Sequence, residues 1–208
     1  MAEFKWVDGG SVTTPAGYKA AGVTAGFKRS GAPDFAMLYS ELPATVGGAF
    51  TSCTFAAAPV QLCRRRLKEG DTFRAVIINS GNANACTGAP GDEAAEKSCA
   101  MAAEALQLKP GEIFAASTGR IGVQLDLGTI RKGIELAVPA LSHGGGNLAS
   151  EAIMTTDTVP KSVAVQLEIG GKTISIGAMT KGAGMIDPKM KALHATMLCF
   201  ITTDATLT

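Results

Sequence analysis

The sequence is poor in the residues that mark several functional classes. Histidine occurs only at His143 and His194, and the five cysteines (Cys53, Cys63, Cys86, Cys99 and Cys199) form no Cys-x-x-Cys pair. An odd, scattered set gives neither a zinc site nor a disulfide framework; it reads as small buried hydrophobes in a reducing cytoplasm. No metal or bound cofactor is expected. Charge of one sign is also lacking: the net charge is +1 and 18% of residues are charged. Neither nucleic acid nor an anionic membrane therefore has an electrostatic claim on the chain. The single basic run, Arg64-Arg65-Arg66, reads as a solvated face. No apolar run approaches the ~20 residues that cross a bilayer, and residues 1–6 carry no signal-peptide core. Aromatic residues make up only 5% of the chain.

What is present is a globular composition. The 208 residues are 46% hydrophobic, enough for one sizeable core. No internal repeat and no interdomain linker divides them, so residues 1–208 read as a single domain. Glycines 17, 22 and 26 confine residues 11–30 to short strands and turns. Residues 35–40 and 46–54 read as strands, and Pro59 opens a helix over 59–69. The run Val76-Ile77-Ile78 marks a buried strand over 72–79 that ends in the turn formers Ser80-Gly81-Asn82. Asp92 reads as the N-cap of a helix to Leu106, residues 113–117 as the next strand, and Asp126 as the cap of a helix to Leu141. A shorter helix covers 147–154. Residues 162–169 alternate as a half-buried strand, Gly170-Gly171 signals a hairpin, and 173–178 is its partner. A last strand starts at Met197. Mixed helices and strands, with one clear hairpin, favour an α/β or α+β layered domain over a bundle or a pure sandwich.

The stretch that organises these elements is Lys181-Gly182-Ala183-Gly184-Met185-Ile186-Asp187-Pro188-Lys189-Met190, followed by Lys191-Ala192-Leu193-His194-Ala195-Thr196. Two glycines and a proline keep the backbone open before the apolar run that starts at Met197. A threonine at such a junction is placed to act as a nucleophile: Thr196, after the small Ala195, could attack its own peptide bond and then use the freed α-amine as base. From these residues alone an ordinary loop-to-strand junction serves as well. Ser117-Thr118-Gly119 offers a hydroxyl and a backbone N–H to a developing oxyanion, or forms a plain turn. Thr155-Thr156-Asp157-Thr158 could bind a small polar substrate or cap a helix. Lys181, in the open loop, could hold a carboxylate or be solvated. His194 is a weaker candidate base, and His143-Gly144-Gly145-Gly146-Asn147 reads as a flexible linker because it lacks phosphate-loop spacing.

Five blocks in one order add a resemblance: GVTAGFKRSGAPDFAMLYSELPA, VIINSGNANACTG, STGRIG, EAIMTTDT and KGAGMI…ATMLCFITTDA. They resemble the ornithine acetyltransferase (glutamate N-acetyltransferase) family of arginine biosynthesis over nearly the whole chain. The resemblance implies the α/β (α+β) layered sandwich fold shared with certain self-cleaving aminopeptidases. It also implies a precursor cut between Ala195 and Thr196 into an α and a β chain, assembled as an α2β2 heterotetramer. Thr196 would carry acetyl from N-acetylornithine to glutamate by a ping-pong route. Thr118 and Gly119 match the family's oxyanion hole, and Thr155, Lys181 and Thr196 its substrate contacts. Some members also take acetyl from acetyl-CoA, and the motifs here leave that open.

Two features depart from the pattern. Four residues, Lys191 to His194, separate Met190 from Ala195-Thr196, and the chain continues for twelve residues beyond Thr196. The final strand has no helix to cover it, so further polypeptide or a partner is expected to complete the layer. Alone, the chain is expected to be inactive. Two rivals remain at this level: an aminopeptidase or amidase of the same fold, which would release product to water, and a non-catalytic remnant.

Overall fold

The computed structural model describes residues 4–70, 72–182 and 197–206. In chain order these form β1 (Phe4–Trp6), β2 (Tyr18–Val23), β3 (Phe35–Thr45), α1 (Ala58–Glu69), β4 (Thr72–Asn82), α2 (Gly88–Leu106), β5 (Ile113–Arg120), α3 (Leu127–Ala140), α4 (Gly146–Ala152), β6 (Lys161–Ile169), β7 (Lys172–Lys181) and β8 (Leu198–Thr203). They build two four-stranded sheets, ordered β2-β3-β4-β5 and β1-β6-β7-β8. In the first, β4 and β5 run parallel and the other pairs are antiparallel; the second is antiparallel throughout.

The first sheet is apolar on both faces because both are covered. Phe35, Ala36, Met37 and Leu38 of β3 are buried in succession, as are Ala75 to Ile78 of β4. Helices α1 and α2 lie on β5, and α3 lies on β2 and β3. On the α3 side, Phe35 fits against Gly133, where an added Cβ would stand 2.6 Å from the ring. Burying side chains of this size contributes ~1.5–3 kcal/mol each. Helix α4 packs on β2 and β3 and also touches β6 and β7, which joins the two sheets. Ser80 Oγ donates to the Ala152 carbonyl (2.5 Å), fixing α4 to the end of β4.

The segment before α4 is a tight junction rather than a linker. Ser142 and Ala20 exchange backbone hydrogen bonds of 3.0 and 3.1 Å. A Cβ on Gly145 would fall 1.8 Å from the Ala20 carbonyl oxygen, and one on Gly146 2.2 Å from Ser11 Oγ. The glycines are required by contact. Elsewhere the local signals hold: Asp126 caps α3 by accepting from the Gly128 and Thr129 N–H groups, and Gly170 and Gly171, at φ 58° and 73°, make the β6–β7 hairpin.

Other expectations need correction. Residues 46–54 form no strand; their glycines leave no alternation to pair, and β3 instead runs on to Thr45 through an irregularity after Tyr39. Helix α2 starts at Gly88 rather than Asp92, with Thr87 as N-cap and no side-chain cap. Of the basic run, Arg66 turns inward, 7% exposed, and its guanidinium donates to the Ile113 carbonyl and to Glu96. Only Cys63 and Cys99 are buried; Cys53, Cys86 and Cys199 are exposed. Burial pushes the Cys99 thiol up to about 12. Among the described residues no helix is long and apolar enough to cross a membrane.

Among the described residues, no element covers the outer face of the second sheet. Phe4 and Trp6 stand opposite Leu167 and Val165, and Ile201 opposite Ala178. On this face Trp6 is 70% and Ile201 68% exposed, and Val163 and Ile176 are open as well.

Candidate active site

A lysine is costly to bury without partners, and Lys181 is 4% exposed. It is the last residue of β7, not a loop residue as the glycine-rich sequence after it implied. Its ammonium donates to Thr155 Oγ1 (2.8 Å) and to Thr118 Oγ1 (2.9 Å). Three sequence-predicted residues thus meet at one nitrogen: Thr118 from β5 of the first sheet, Thr155 from the turn after α4, and Lys181 from the second sheet. Burial lowers the Lys181 pKa, the nearby charge of Asp157 works against that, and Lys161 adds to the lowering. Because both threonine oxygens accept hydrogen bonds from Lys181, each hydroxyl hydrogen can be donated onward, to a bound carbonyl or carboxylate.

Gly119 follows Thr118 with φ 129°. A Cβ there would lie 2.4 Å from the Gly81 carbonyl carbon, so the β4 and β5 ends touch backbone to backbone. Strand β5 runs through Thr118 and Gly119 to Arg120; the expected turn is strand with an irregular register against β4. Gly81 in turn meets Phe27, whose loop is pinned by the fully buried Asp34. Asp34 accepts from the N–H groups of Ala25 (2.6 Å), Gly26 (3.1 Å) and Lys28 (2.8 Å). Burial lowers the Lys28 pKa, Asp34 opposes this, and the charge of Lys181 adds to it.

Sequence reasoning missed Asp157. It named the Thr155–Thr158 run for its hydroxyls, yet the carboxylate makes the long-range bond: Oδ1 accepts from the Gly182 N–H (2.8 Å), and also from Lys161 Nζ, four residues on (2.7 Å). The only sequence signal was the four-residue spacing from Asp157 to Lys161. Burial alone would raise the Asp157 pKa. Hydrogen bonds from Lys161, Gly182 and Thr155, with the charge of Lys161, outweigh it and hold the group at about 2. Ala195, Thr196 and His194 lie outside the described residues. The chain is described again from Met197, and Leu198 pairs with Lys181. His143 is far from this chemistry in role: its Nδ1 meets the Tyr18 carbonyl (3.0 Å).

Fold and site together define a two-sheet α/β protein in which a buried lysine hydrogen-bonds two half-buried threonines where the sheets meet. Residues 19–208 match the ArgJ family, and the chain belongs to it. It is 48% identical over 205 residues to the arginine biosynthesis bifunctional protein ArgJ of Thermosynechococcus vestitus, covering 99% of this chain and 48% of the relative. It is 44% identical over 199 residues to the glutamate N-acetyltransferase of Methanocaldococcus jannaschii, covering 95% and 47%. The chain therefore spans about half the length of the curated relatives it matches. Among solved structures, the ArgJ protein of Bacillus halodurans superposes with a TM-score of 0.84 at 33% identity, covering 95% of this chain and 100% of that one. The ornithine acetyltransferase of Mycobacterium tuberculosis, solved with ornithine, gives 0.81 at 38% identity, covering 90% and 99%.

Proposed function

We propose that this chain is the α portion of a cytoplasmic acetyltransferase of arginine biosynthesis that moves an acetyl group from N2-acetylornithine to glutamate. The observation that carries the reading is the Lys181 ammonium held between Thr118 Oγ1 and Thr155 Oγ1. It supplies a buried positive charge and two oriented hydroxyls at the end of β7, one strand step from where the chain enters β8. The names of the relatives give the chemistry its class.

In this reading Thr196 Oγ first attacks the Ala195 carbonyl; the Ala195–Thr196 C–N bond breaks as the ester forms, which frees the Thr196 α-amine, and water then hydrolyses the ester, releasing the Ala195 carboxylate and restoring the hydroxyl. That amine then takes the hydroxyl proton as Thr196 Oγ attacks the acetyl carbonyl of acetylornithine. The C–N bond breaks, ornithine leaves with the proton, and the acetyl ester stays on Thr196. The glutamate amine attacks the ester, acetylglutamate leaves and the hydroxyl is restored. The Thr118 hydroxyl and Gly119 N–H stabilise each oxyanion, a donor of this kind being worth ~2.7–4 kcal/mol. Lys181 and Thr155 hold the amino-acid carboxylate. The route uses no metal or cofactor, and acetyl-CoA is the alternative donor. The remaining half of the precursor forms the β portion, with an α2β2 assembly, and covers the bare face of the second sheet.

The test uses the full-length precursor and its Thr196→Ala variant. Intact mass should show two fragments split at Ala195–Thr196, and one uncut chain in the variant. Acetylglutamate should form from acetylornithine and glutamate, faster than acetate appears without glutamate. A cut elsewhere, or an uncut yet active precursor, would remove Thr196 from the mechanism. Equal acetate release with and without glutamate would make the protein an amidase, and acetyl-CoA in place of acetylornithine settles the donor.

A further inference from the structure

Asp157 has no role in the chemistry above, yet it touches both ends of it. Its side chain is 4% exposed. Oδ1 accepts from the N–H of Gly182, the residue after Lys181 and 25 positions away in the chain (2.8 Å), and Oδ2 from the N–H of Thr155 (3.4 Å). One carboxylate thus ties the backbone beside Lys181 to the backbone of Thr155. Those are two of the three residues whose side chains meet at the Lys181 ammonium. A loop anchor alone would explain the Thr155 contact, two residues away in the chain. It would not explain why the same carboxylate reaches the exit of β7, nor why a second cation, Lys161 Nζ, sits on it at 2.7 Å.

We propose that Asp157 is a positioning residue that fixes the Lys181 ammonium against Thr118 and Thr155, and so sets how tightly the site holds an amino-acid carboxylate. The proposal rests on Lys181 holding that carboxylate. Burial lowers the Lys181 pKa; of the charged groups that act on it, Asp157 raises it and Lys161 lowers it further. Lys28, from the loop after β2, responds in turn to the charge of Lys181. Asp157, held at about 2, is anionic throughout the working range. Removing the Asp157 charge and removing the Lys161 charge therefore drive Lys181 in opposite directions, which packing alone would not do.

Asp157→Asn and Lys161→Gln are made in the full-length precursor, and acetyl transfer is followed from neutral pH to about pH 10. In Asp157→Asn, KM for the amino-acid substrates should rise about tenfold, the size of one charge-assisted hydrogen bond, with kcat changed less. The alkaline limb of kcat/KM should move to lower pH. In Lys161→Gln it should move to higher pH. A limb that stays fixed in both variants, or moves the same way in both, overturns the proposal, whatever the loss in melting temperature. If Asp157→Asn does not fold, Lys161→Gln decides: no upward shift overturns it. Wild-type transfer is measured first. Its absence would overturn the acetyl-transfer reading and this proposal with it, whereas an active wild type with unmoved variants overturns this proposal alone.

Discussion

Gly119 shows how far one residue can be pinned by its neighbours. Its φ of 129° is a conformation that L side chains rarely adopt, and a Cβ would strike the Gly81 carbonyl carbon at 2.4 Å. Backbone strain of this kind costs ~1–3 kcal/mol before the clash is counted. Gly119→Ala should lower the melting temperature and, by displacing its own N–H and Thr118, reduce acetyl transfer more than stability accounts for; the two are read from a thermal melt and from kcat at a temperature where the variant is folded. Asp157 makes a second, pH-dependent prediction. Its pKa is depressed to about 2 in the fold, so its stabilising contribution is complete above the unfolded value of about 3.9. The contribution is lost as pH falls toward 2. Acid unfolding of Asp157→Asn should therefore be shallower than that of the wild type between about pH 4 and pH 2.

Elements were legible where the signal was local. Asp126 before an apolar stripe gave α3 its start, and Gly170-Gly171 gave the hairpin, because a cap and a turn are decided by a few adjacent atoms. What was not legible depends on contact between distant segments. Lys181 follows an alternating strand and precedes two glycines, and nothing local says that it ends β7 buried against Thr118, 63 positions earlier. Asp157 was hidden for the same reason, and Arg66 turned inward toward β5 from a run that looked solvated. Thr118, Gly119, Thr155 and Lys181 were named from residue blocks, but only the sheets bring three of their side chains to one point. The glycine at the α3–β3 crossing carries a prediction at this scale. Gly133→Ala would force a methyl group to within 2.6 Å of the Phe35 ring. An overpacked crossing should cost about 1–3 kcal/mol, read as a shift in the denaturant midpoint, despite the better helix propensity of alanine.

At the scale of the whole chain, the described residues cover the first sheet on both faces and the second on one. Its bare face carries Phe4, Trp6, Val163, Ile176 and Ile201, all exposed. A contiguous apolar sheet face of this kind marks an interaction surface or an aggregation liability. On the proposed reading, this chain expressed without a β portion is expected to self-associate and to show no acetyl transfer. Co-expression with that portion should then give both solubility and activity, checked by light scattering and by acetylglutamate formation.

Strand β8 completes the second sheet from the far side of the proposed cut. It pairs with β7 from Leu198 to Thr203, and Thr202 Oγ1 donates to the Val12 carbonyl (2.6 Å). Asp204 accepts from the N–H groups of Ser175 (2.8 Å) and Ala16 (3.1 Å). A break at Ala195–Thr196 would turn β8 into a strand donated by one polypeptide to the sheet of another. The two fragments would then be woven together by a ladder of backbone hydrogen bonds, with no covalent bond between them. They should elute as one species under native conditions and come apart only in denaturant. The piece that ends at Ala195, stripped of its guest strand, would be left with an unsatisfied edge along β7.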